Sequence, residues 1–259
     1  MIDSIIHPTA IIAKEAEIDE GVHIGPFSII GPDVKIGAGT WIDSNVVIEG
    51  HTKIGSNNKI WRFASLGTRP QDLKYKGEDA ELIIGNNNMI REYVNMSIGT
   101  EHGGMKTVVG SDSLFMVNVH VGHDSVVGDK CILANGVSLA GHVELGDHVY
   151  MAGHSAIHQF CKMGAYSMAA GGAIITQDVP PWVTVHGNRA APVGFNVVLM
   201  KRLGFDPTQI DAVKKAYKIL YRSNLSLEES LVQIAELPVE DIKDTMLSFL
   251  KDCPRGICR

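Results

Sequence analysis

The chain has 259 residues, 45% of them apolar and 20% charged, which is enough to bury a large core and excludes wholesale disorder. Its 23 basic and 29 acidic side chains leave a formal net charge of −6, which argues against a general nucleic-acid binder. No run approaches the roughly 18 uninterrupted apolar residues of a membrane span, and the opening MIDSIIHPTA lacks the pattern of a signal peptide, so a cytoplasmic protein is expected.

From Ile6 the chain repeats with a period of six. Ile6, Ile12, Ile18, Ile24, Ile30, Ile36, Ile42, Ile48, Ile54, Ile60 and Leu66 are all aliphatic. A small or acidic residue often follows, as at Gly25, Gly31, Gly37, Asp43, Glu49 and Gly55. This period fits neither a helix at about 3.6 nor a simple amphipathic strand at about 2. It fits a chain that turns a corner every six residues, with one large aliphatic side chain aimed inward from each flat stretch. Three stretches close a triangular coil of about 18 residues, and coils stack by parallel pairing about 4.8 Å apart. An aliphatic ladder of this kind accounts for an aromatic content of only 6%.

The phase is lost over TRPQDLKYKGEDAE, from Thr68 to Glu81, and returns at Ile84, Ile90 and Met96. It is lost again over TEHGGMKT, from Thr100 to Thr107, and then runs from Val109 through Val121 and Leu139 to Ile175. Loops that leave a rigid scaffold often bind ligands, and the first is the better functional candidate. The repeat ends near Pro180-Pro181. Asp206-Pro207 then marks a helix start, with Asp as N-cap and Pro in the first turn, and an amphipathic helix should run to about Arg222. Ser226 with Glu229 is a capping box, and a third helix is expected from Val239 to Leu250. The expected division is a solenoid over 1–187 and a small helical domain over 188–259.

All 11 histidines precede residue 187, and seven lie between His102 and His158. In a coil of about 18 residues, Gly141 and then Gln159 stack on His123, and His142 stacks on Asp124. An imidazole titrates near pH 6.5, so His123 can serve as a general base. Asp124 beside it can orient the ring, and the bare backbone of Gly141 can bring its N–H close to a developing oxyanion. The four cysteines, Cys131, Cys161, Cys253 and Cys258, show no CxxC spacing and read as free thiols.

The six-residue pattern over 1–187 resembles the hexapeptide-repeat proteins. That resemblance implies a left-handed parallel β-helix, an exception to the usual crossover hand, and most often a homotrimer with active sites between neighbouring prisms. The stretches HIGPFSIIGP, EGHTKIG, QDLKYKGE, GSDSLFMVNVHVGHD, CILANGVSLAGHV, IHQFCKMGA, QDVPPWV and HGNRAAPVG narrow it. They resemble the bacterial UDP-N-acetylglucosamine acyltransferases of lipid A biosynthesis, and the likeness extends to KRLGF and YRS in the tail. It implies transfer of a 3-hydroxyacyl group from acyl carrier protein to the 3-hydroxyl of the UDP-sugar. No metal or cofactor is implied beyond the carrier's phosphopantetheine. His120, His123 and His142 could instead mimic three zinc ligands. Their spacing and the long helical tail depart from the gamma carbonic anhydrases, the hexapeptide branch that binds zinc.

Carried onto this chain, the resemblance implies His123 as the base, Asp124 as its partner and Gly141 as the oxyanion donor. Asp72, Leu73 and Lys74 match the loop that contacts substrate. His120, His142, His158 and Gln159 match positions that bind sugar, pyrophosphate or acyl group. Asn196 and Arg202 match tail residues that reach the nucleotide, and Gly171 matches the position that limits the acyl chain, glycine implying a longer one. Ser97, Val198 and Leu203 stand where well-known members have His, Glu and Arg. Ser97 and Val198 leave N-acylation of a 3-amino sugar nucleotide as an alternative, beside another hexapeptide acyltransferase. A non-enzymatic scaffold is the remaining class, and the clustered His123/Asp124/Gly141/His142 edge argues against it.

Charge is segregated along the chain: residues 1–195 carry −7, residues 196–225 carry +4, and residues 226–259 carry −3. Lys214, Lys218 and Arg222 fall on one helical stripe. Acyl carrier proteins are strongly acidic, so this stripe is the expected partner-binding surface.

Overall fold

The computed structural model describes residues 5–259. Short strands, most of two residues, recur from Ile5–Ile6 to Ile174–Ile175 and pair in parallel. Among the described residues they form three sheets, the faces of a left-handed β-helix. The first sheet starts with Ile5–Ile6 and His23–Ile24, the second with Ile11–Ile12 and Ile29–Ile30, and the third with Glu17–Ile18 and Val34–Ile36. Ile24 pairs with Ile42, and Ile42 with Ile60, each one regular coil further along the chain. This register stacks the repeat's aliphatic residues inside the prism, where Ile24, Ile30, Ile42, Ile48, Ile60 and Leu66 are buried. Phe115 takes one rung of the same ladder.

A corner leaves backbone amides pointing into an apolar interior, where an unpaired N–H is costly. A second ladder of polar side chains meets that need. The amide oxygen of Asn58 accepts the Asn88 N–H at 2.9 Å, that of Asn88 accepts the Ser113 N–H at 2.9 Å, and the Ser113 hydroxyl accepts the Cys131 N–H at 2.9 Å. The two interruptions of the repeat are excursions that leave this stacking intact. Lys59 pairs with Met89, and Met89 with Leu114. Both gaps are longer than one regular coil, the first more so than the second, and the surplus chain forms the two excursions.

The three outer faces differ in chemistry. The third carries ion pairs, Lys35 with Glu17 at 2.7 Å, Lys53 with Glu81 at 2.6 Å and Lys162 with Glu144 at 3.3 Å. The first carries an apolar column of Met89, Leu114, Ile132, Tyr150 and Met168. The second carries Ile29 beside Val47 and, further along, Ser138, Ala156 and Ile174 in line, with the polar Asn95 and His120 between them.

The last coil ends in Val183–His186, which pairs antiparallel with Ala191–Phe195, so the first sheet extends past residue 187. Four helices follow among the described residues: α1 (Val197–Arg202), α2 (Pro207–Arg222), α3 (Leu227–Ala235) and α4 (Glu240–Leu250). Ser226 forms the expected capping box at α3, Asp206, expected as an N-cap, closes a capping box with Gln209 at α2, and Val239 stands at the N-cap position of α4 with no side-chain cap hydrogen bond. The sequence pattern does not anticipate α1, which has six residues and no acidic first turn. Ala212, Val213, Ala216 and Leu220 of α2 bury against Ile234 of α3 and Ile242 and Met246 of α4. Rings join this bundle to the solenoid: His148 stacks on Tyr166 at 5.0 Å, Tyr166 on Trp182 at 5.5 Å, and Phe205 meets Tyr166 edge-on.

Replacing Asn88 by Ala strands the Ser113 N–H inside the prism. The expected cost is about 1–3 kcal/mol, read as a lower urea midpoint with unchanged far-UV circular dichroism.

Candidate active site

His123 and Asp124 sit at the corner between the second sheet, which His120–Val121 enters, and the third, which Val126–Val127 enters. The Nδ1 of His123 lies 2.7 Å from Oδ2 of Asp124. A carboxylate can only accept, so Nδ1 carries the proton and Nε2 is left as the free acceptor. Below the ring lies Gly141, as the stacking rule predicts. A Cβ there would stand 2.7 Å from Nε2 and 2.6 Å from Cε1 of His123, so no larger residue fits under the imidazole. The N–H of Gly141 meets no acceptor among the described residues, while its neighbour His142 donates its own N–H to the His123 carbonyl at 2.9 Å.

The Asp124 side chain is fully buried, and the second excursion is what covers it. Thr100 donates its N–H to Oδ1 at 2.7 Å and its hydroxyl to Oδ2 at 2.6 Å. Thr107 accepts the Asp124 N–H at 2.8 Å. Burial pushes the Asp124 carboxyl up, but the hydrogen bonds from His123 and then Thr100 outweigh it, so the group sits below the usual carboxylate range. Sequence reasoning favours the first excursion as the functional one and misses Thr100 and Thr107. Their contacts cross 24 and 17 residues, and only the first loop carries an obvious charge signal.

His142 lies one coil on, its Nε2 3.8 Å from the Asp124 carboxylate, its ring edge-on to His123 and stacked on Phe160 at 4.4 Å. Burial pushes its imidazole below the ordinary value, Asp124 opposes that, His123 reinforces it, and Asp72 opposes it. Asp72 belongs to the first excursion, and its charge is felt at His142. In that excursion Asp72 caps the Lys74 N–H at 2.9 Å, and Leu73 and Lys74 stand exposed. His120 is half-buried and donates from Nδ1 to the Asn95 side-chain oxygen at 2.9 Å. Burial and then His123 push its imidazole down. The donor atoms of His123, Asp124 and His142 lie within 4.8 Å of one another and are the group that could hold a metal ion. His120 is outside that group, so the three-histidine zinc set considered from the sequence does not assemble among the described residues of one chain.

His158 and Gln159 continue the same corner one coil beyond Gly141, whose carbonyl accepts the Phe160 N–H at 3.3 Å, whereas Gly171, Asn196 and Arg202 lie apart from it within one chain. His158 and Gln159 are exposed, and Arg255 donates to Nδ1 of His158 at 3.2 Å. Gly171 sits at the corner between the first and second sheets with an exposed backbone. Asn196 and Arg202 line a groove of about 890 Å³ on the outer side of the first sheet, with Ile132, Tyr150 and Met168. Asn196 caps α1 by accepting the Leu199 N–H and donates to the Tyr166 carbonyl at 2.9 Å, so its amide is already engaged. Val198 and Leu203 line the same groove.

The repeat and its corners define a hexapeptide transferase, and residues 33–68 match the family described as bacterial transferase hexapeptide (six repeats). Residues 178–258 match the family described as UDP-N-acetylglucosamine O-acyltransferase, domain 2. Over 264 residues the chain is 48% identical to an acyl-[acyl-carrier-protein]–UDP-N-acetylglucosamine O-acyltransferase of Herminiimonas arsenicoxydans, covering 99% of this chain and 100% of that one. LpxA from Acinetobacter baumannii superposes with a TM-score of 0.96 at 47% identity, covering 98% of this chain and 100% of that one. The UDP-N-acetylglucosamine O-acyltransferase of Moraxella catarrhalis gives 0.95 at 42% identity, covering 98% and 99%. The chain belongs to the UDP-N-acetylglucosamine O-acyltransferase family.

His120, His142 and His148 are all pushed down, in each case first by burial. Such groups take up protons more readily once unfolded, so the stability they contribute is full above the unfolded value of about 6.5 and is lost as pH falls through the folded values. The melting temperature should therefore drop between pH of about 7.5 and about 5.5. His148→Phe keeps the stack on Tyr166 and should shrink that drop, since Phe27, Phe63 and Phe160 adopt the same left-handed corner conformation as His148. Melting curves of the two proteins across this range check both statements.

Proposed function

We propose that the chain transfers a 3-hydroxyacyl group from acyl carrier protein to the 3-hydroxyl of UDP-N-acetylglucosamine, the first acylation of lipid A biosynthesis. The observation that carries the mechanism is the His123 ring, tied through Nδ1 to buried Asp124 with Nε2 free above Gly141. The acyl group arrives as a thioester, already activated, so the chain must position a weak nucleophile and take its proton. Nε2 of His123 accepts the proton of the sugar hydroxyl as its oxygen bonds to the thioester carbonyl carbon. The carbonyl oxygen becomes an oxyanion, and the unengaged N–H of Gly141 stabilises it. Collapse breaks the carbon–sulfur bond, and the imidazolium returns its proton to the departing phosphopantetheine thiolate. The products are the O-acylated sugar nucleotide and free carrier thiol.

The same reading calls for a homotrimer. His120, His123 and His142 occupy one corner, whereas Asn196 and Arg202 lie on the outer side of the first sheet. A neighbour whose first sheet faces the second sheet of this copy would bring the two sets together. The chemistry of the faces supports that arrangement, because the apolar column of the first face and the aliphatic parts of the second gain by covering each other while the ion-paired third face stays in water. His158, Gln159 and Gly171 then line the acyl path, with Asp72, Leu73 and Lys74 reaching the neighbour's groove. A cytoplasmic site of action follows from the two substrates, and no helix among the described residues is long and apolar enough to cross a membrane.

Lys214, Lys218 and Arg222 of α2 are exposed and none forms an ion pair among the described residues, whereas Lys215 pairs with Asp211 at 2.9 Å. Free cations along one face suit an acidic carrier protein. The second substrate worth testing is the 3-amino analogue. Ser97 is buried with an unpartnered hydroxyl, close in the chain to Asn95, which holds His120.

Purified protein supplied with acyl carrier protein thioesters should acylate UDP-N-acetylglucosamine in preference to its 3-amino analogue. His123→Ala should cut turnover by about 10²–10⁴ while circular dichroism is unchanged, and near-normal turnover would remove His123 from the mechanism. Charge reversal at Lys214 and Lys218 should raise KM for the acylated carrier about tenfold without changing KM for the sugar nucleotide. An unchanged carrier KM would make the stripe an ordinary solvated face.

A further inference from the structure

The second excursion leaves the solenoid at Thr100, makes one short 3-10 turn over Glu101–Gly103, and rejoins at Lys106–Val109. We infer that Thr100 is a positioning residue for the reaction, whose hydroxyl holds the Asp124 carboxylate so that Oδ2 faces Nδ1 of His123. The inference rests on the proposed role of His123 as the base.

Each oxygen of Asp124 has a defined donor. Oδ1 receives the Thr100 N–H at 2.7 Å, and Oδ2 receives the Thr100 hydroxyl at 2.6 Å together with Nδ1–H of His123 at 2.7 Å. One residue therefore grips both oxygens and fixes the plane of the carboxylate. The seat is tight as well, because a Cβ on Gly103 would collide with the carboxylate. A buried carboxylate held in this way cannot turn without breaking charge-assisted hydrogen bonds.

A competitor waits at the same oxygen. Nε2 of His142 lies 3.8 Å from Oδ2, outside hydrogen-bond range. The Thr100 hydroxyl and His123 already occupy the two lone pairs of Oδ2, so His142 has no site there. Without the hydroxyl, one lone pair opens toward His142. Rotation of the carboxylate toward that ring would weaken its hold on His123, and with it the proton that keeps Nε2 free.

Thr100→Val keeps the shape of the side chain and the backbone N–H to Oδ1, and removes only the hydroxyl. The expected result is a fall in kcat of about tenfold, part of the 10²–10⁴ that general-base catalysis supplies, with KM for both substrates unchanged. With one donor gone, the carboxylate holds a proton more tightly, whether its own or that of the neighbouring imidazole, so the acid limb of the kcat profile moves to higher pH. Thr100→Ser restores the hydroxyl and should restore both kcat and the profile. The low-field proton resonance of a hydrogen-bonded Nδ1–H, assigned by its loss in His123→Ala, should shift or broaden in Thr100→Val and return in Thr100→Ser.

Unchanged kcat and an unchanged resonance in Thr100→Val would overturn the inference, as would loss of activity that Thr100→Ser fails to restore. If Thr100→Val does not fold, Thr100→Ala is read by the same resonance. The resonance reports the Thr–Asp–His geometry whether or not His123 is the base, and turnover of His123→Ala reports the base alone. Failure of one is thus distinguishable from failure of the other.

Discussion

Parallel hydrogen bonding in register between successive coils is the constraint on which the rest of the molecule depends. It converts a run of aliphatic residues spaced by six into three continuous internal columns, and it places like corners directly above one another. Each corner has only a few backbone groups to satisfy, and at the corner between the third and first sheets the Asn58–Asn88–Ser113 ladder pairs them from inside the prism. The excursions after Thr68 and Thr100 add length between rungs without moving any rung, because closing a longer surface loop costs little once its two ends are pinned by the sheet. The scaffold is therefore rigid where the chemistry sits and tolerant where the chain departs from it.

The candidate site uses that rigidity directly. Coils lie about 4.8 Å apart, close enough for an imidazole on one to cover the backbone of the next. His123 does so over Gly141, and the absence of a side chain there is what leaves both the ring and the N–H beneath it in place. Burial of Asp124 would disfavour its charge if nothing compensated. The donors that compensate are His123 and, from the shorter excursion, Thr100. A strongly held carboxylate in a shielded corner fixes the tautomer of its histidine partner, and the tautomer decides which nitrogen can accept a proton.

The outer faces give the single chain an unfinished character. One face is laced with ion pairs, while the other two present Ile132, Tyr150 and Met168 on one side and Val47, Ala156 and Ile174 on the other. The groove beside α1 and the His123 corner lie on separate sides of the same prism.

Much of this is legible in the order of residues alone. The period of six specifies the prism because each step is short-range and steric. Asp206 and Ser226 mark helix starts because a capping box closes within a single turn. The pairing of His123 with Gly141 follows from counting one coil along the chain, since no excursion intervenes between them. α1 escapes because a six-residue helix capped by Asn196 carries too little periodicity to register. The grip of Thr100 on Asp124 escapes for a different reason: an excursion destroys the counting rule, and the contact spans 24 residues. The placement of Asn196 and Arg202 on another face from His123 likewise depends on where the last coil stops and how the helices fold back onto it. The amino-acid sequence by itself determined the repeat, the helix starts and the stacked His–Asp–Gly corner, all of which rest on local geometry. Only the tertiary structure decided what covers Asp124 and which residues share a face, because both depend on the paths of segments that leave the repeat.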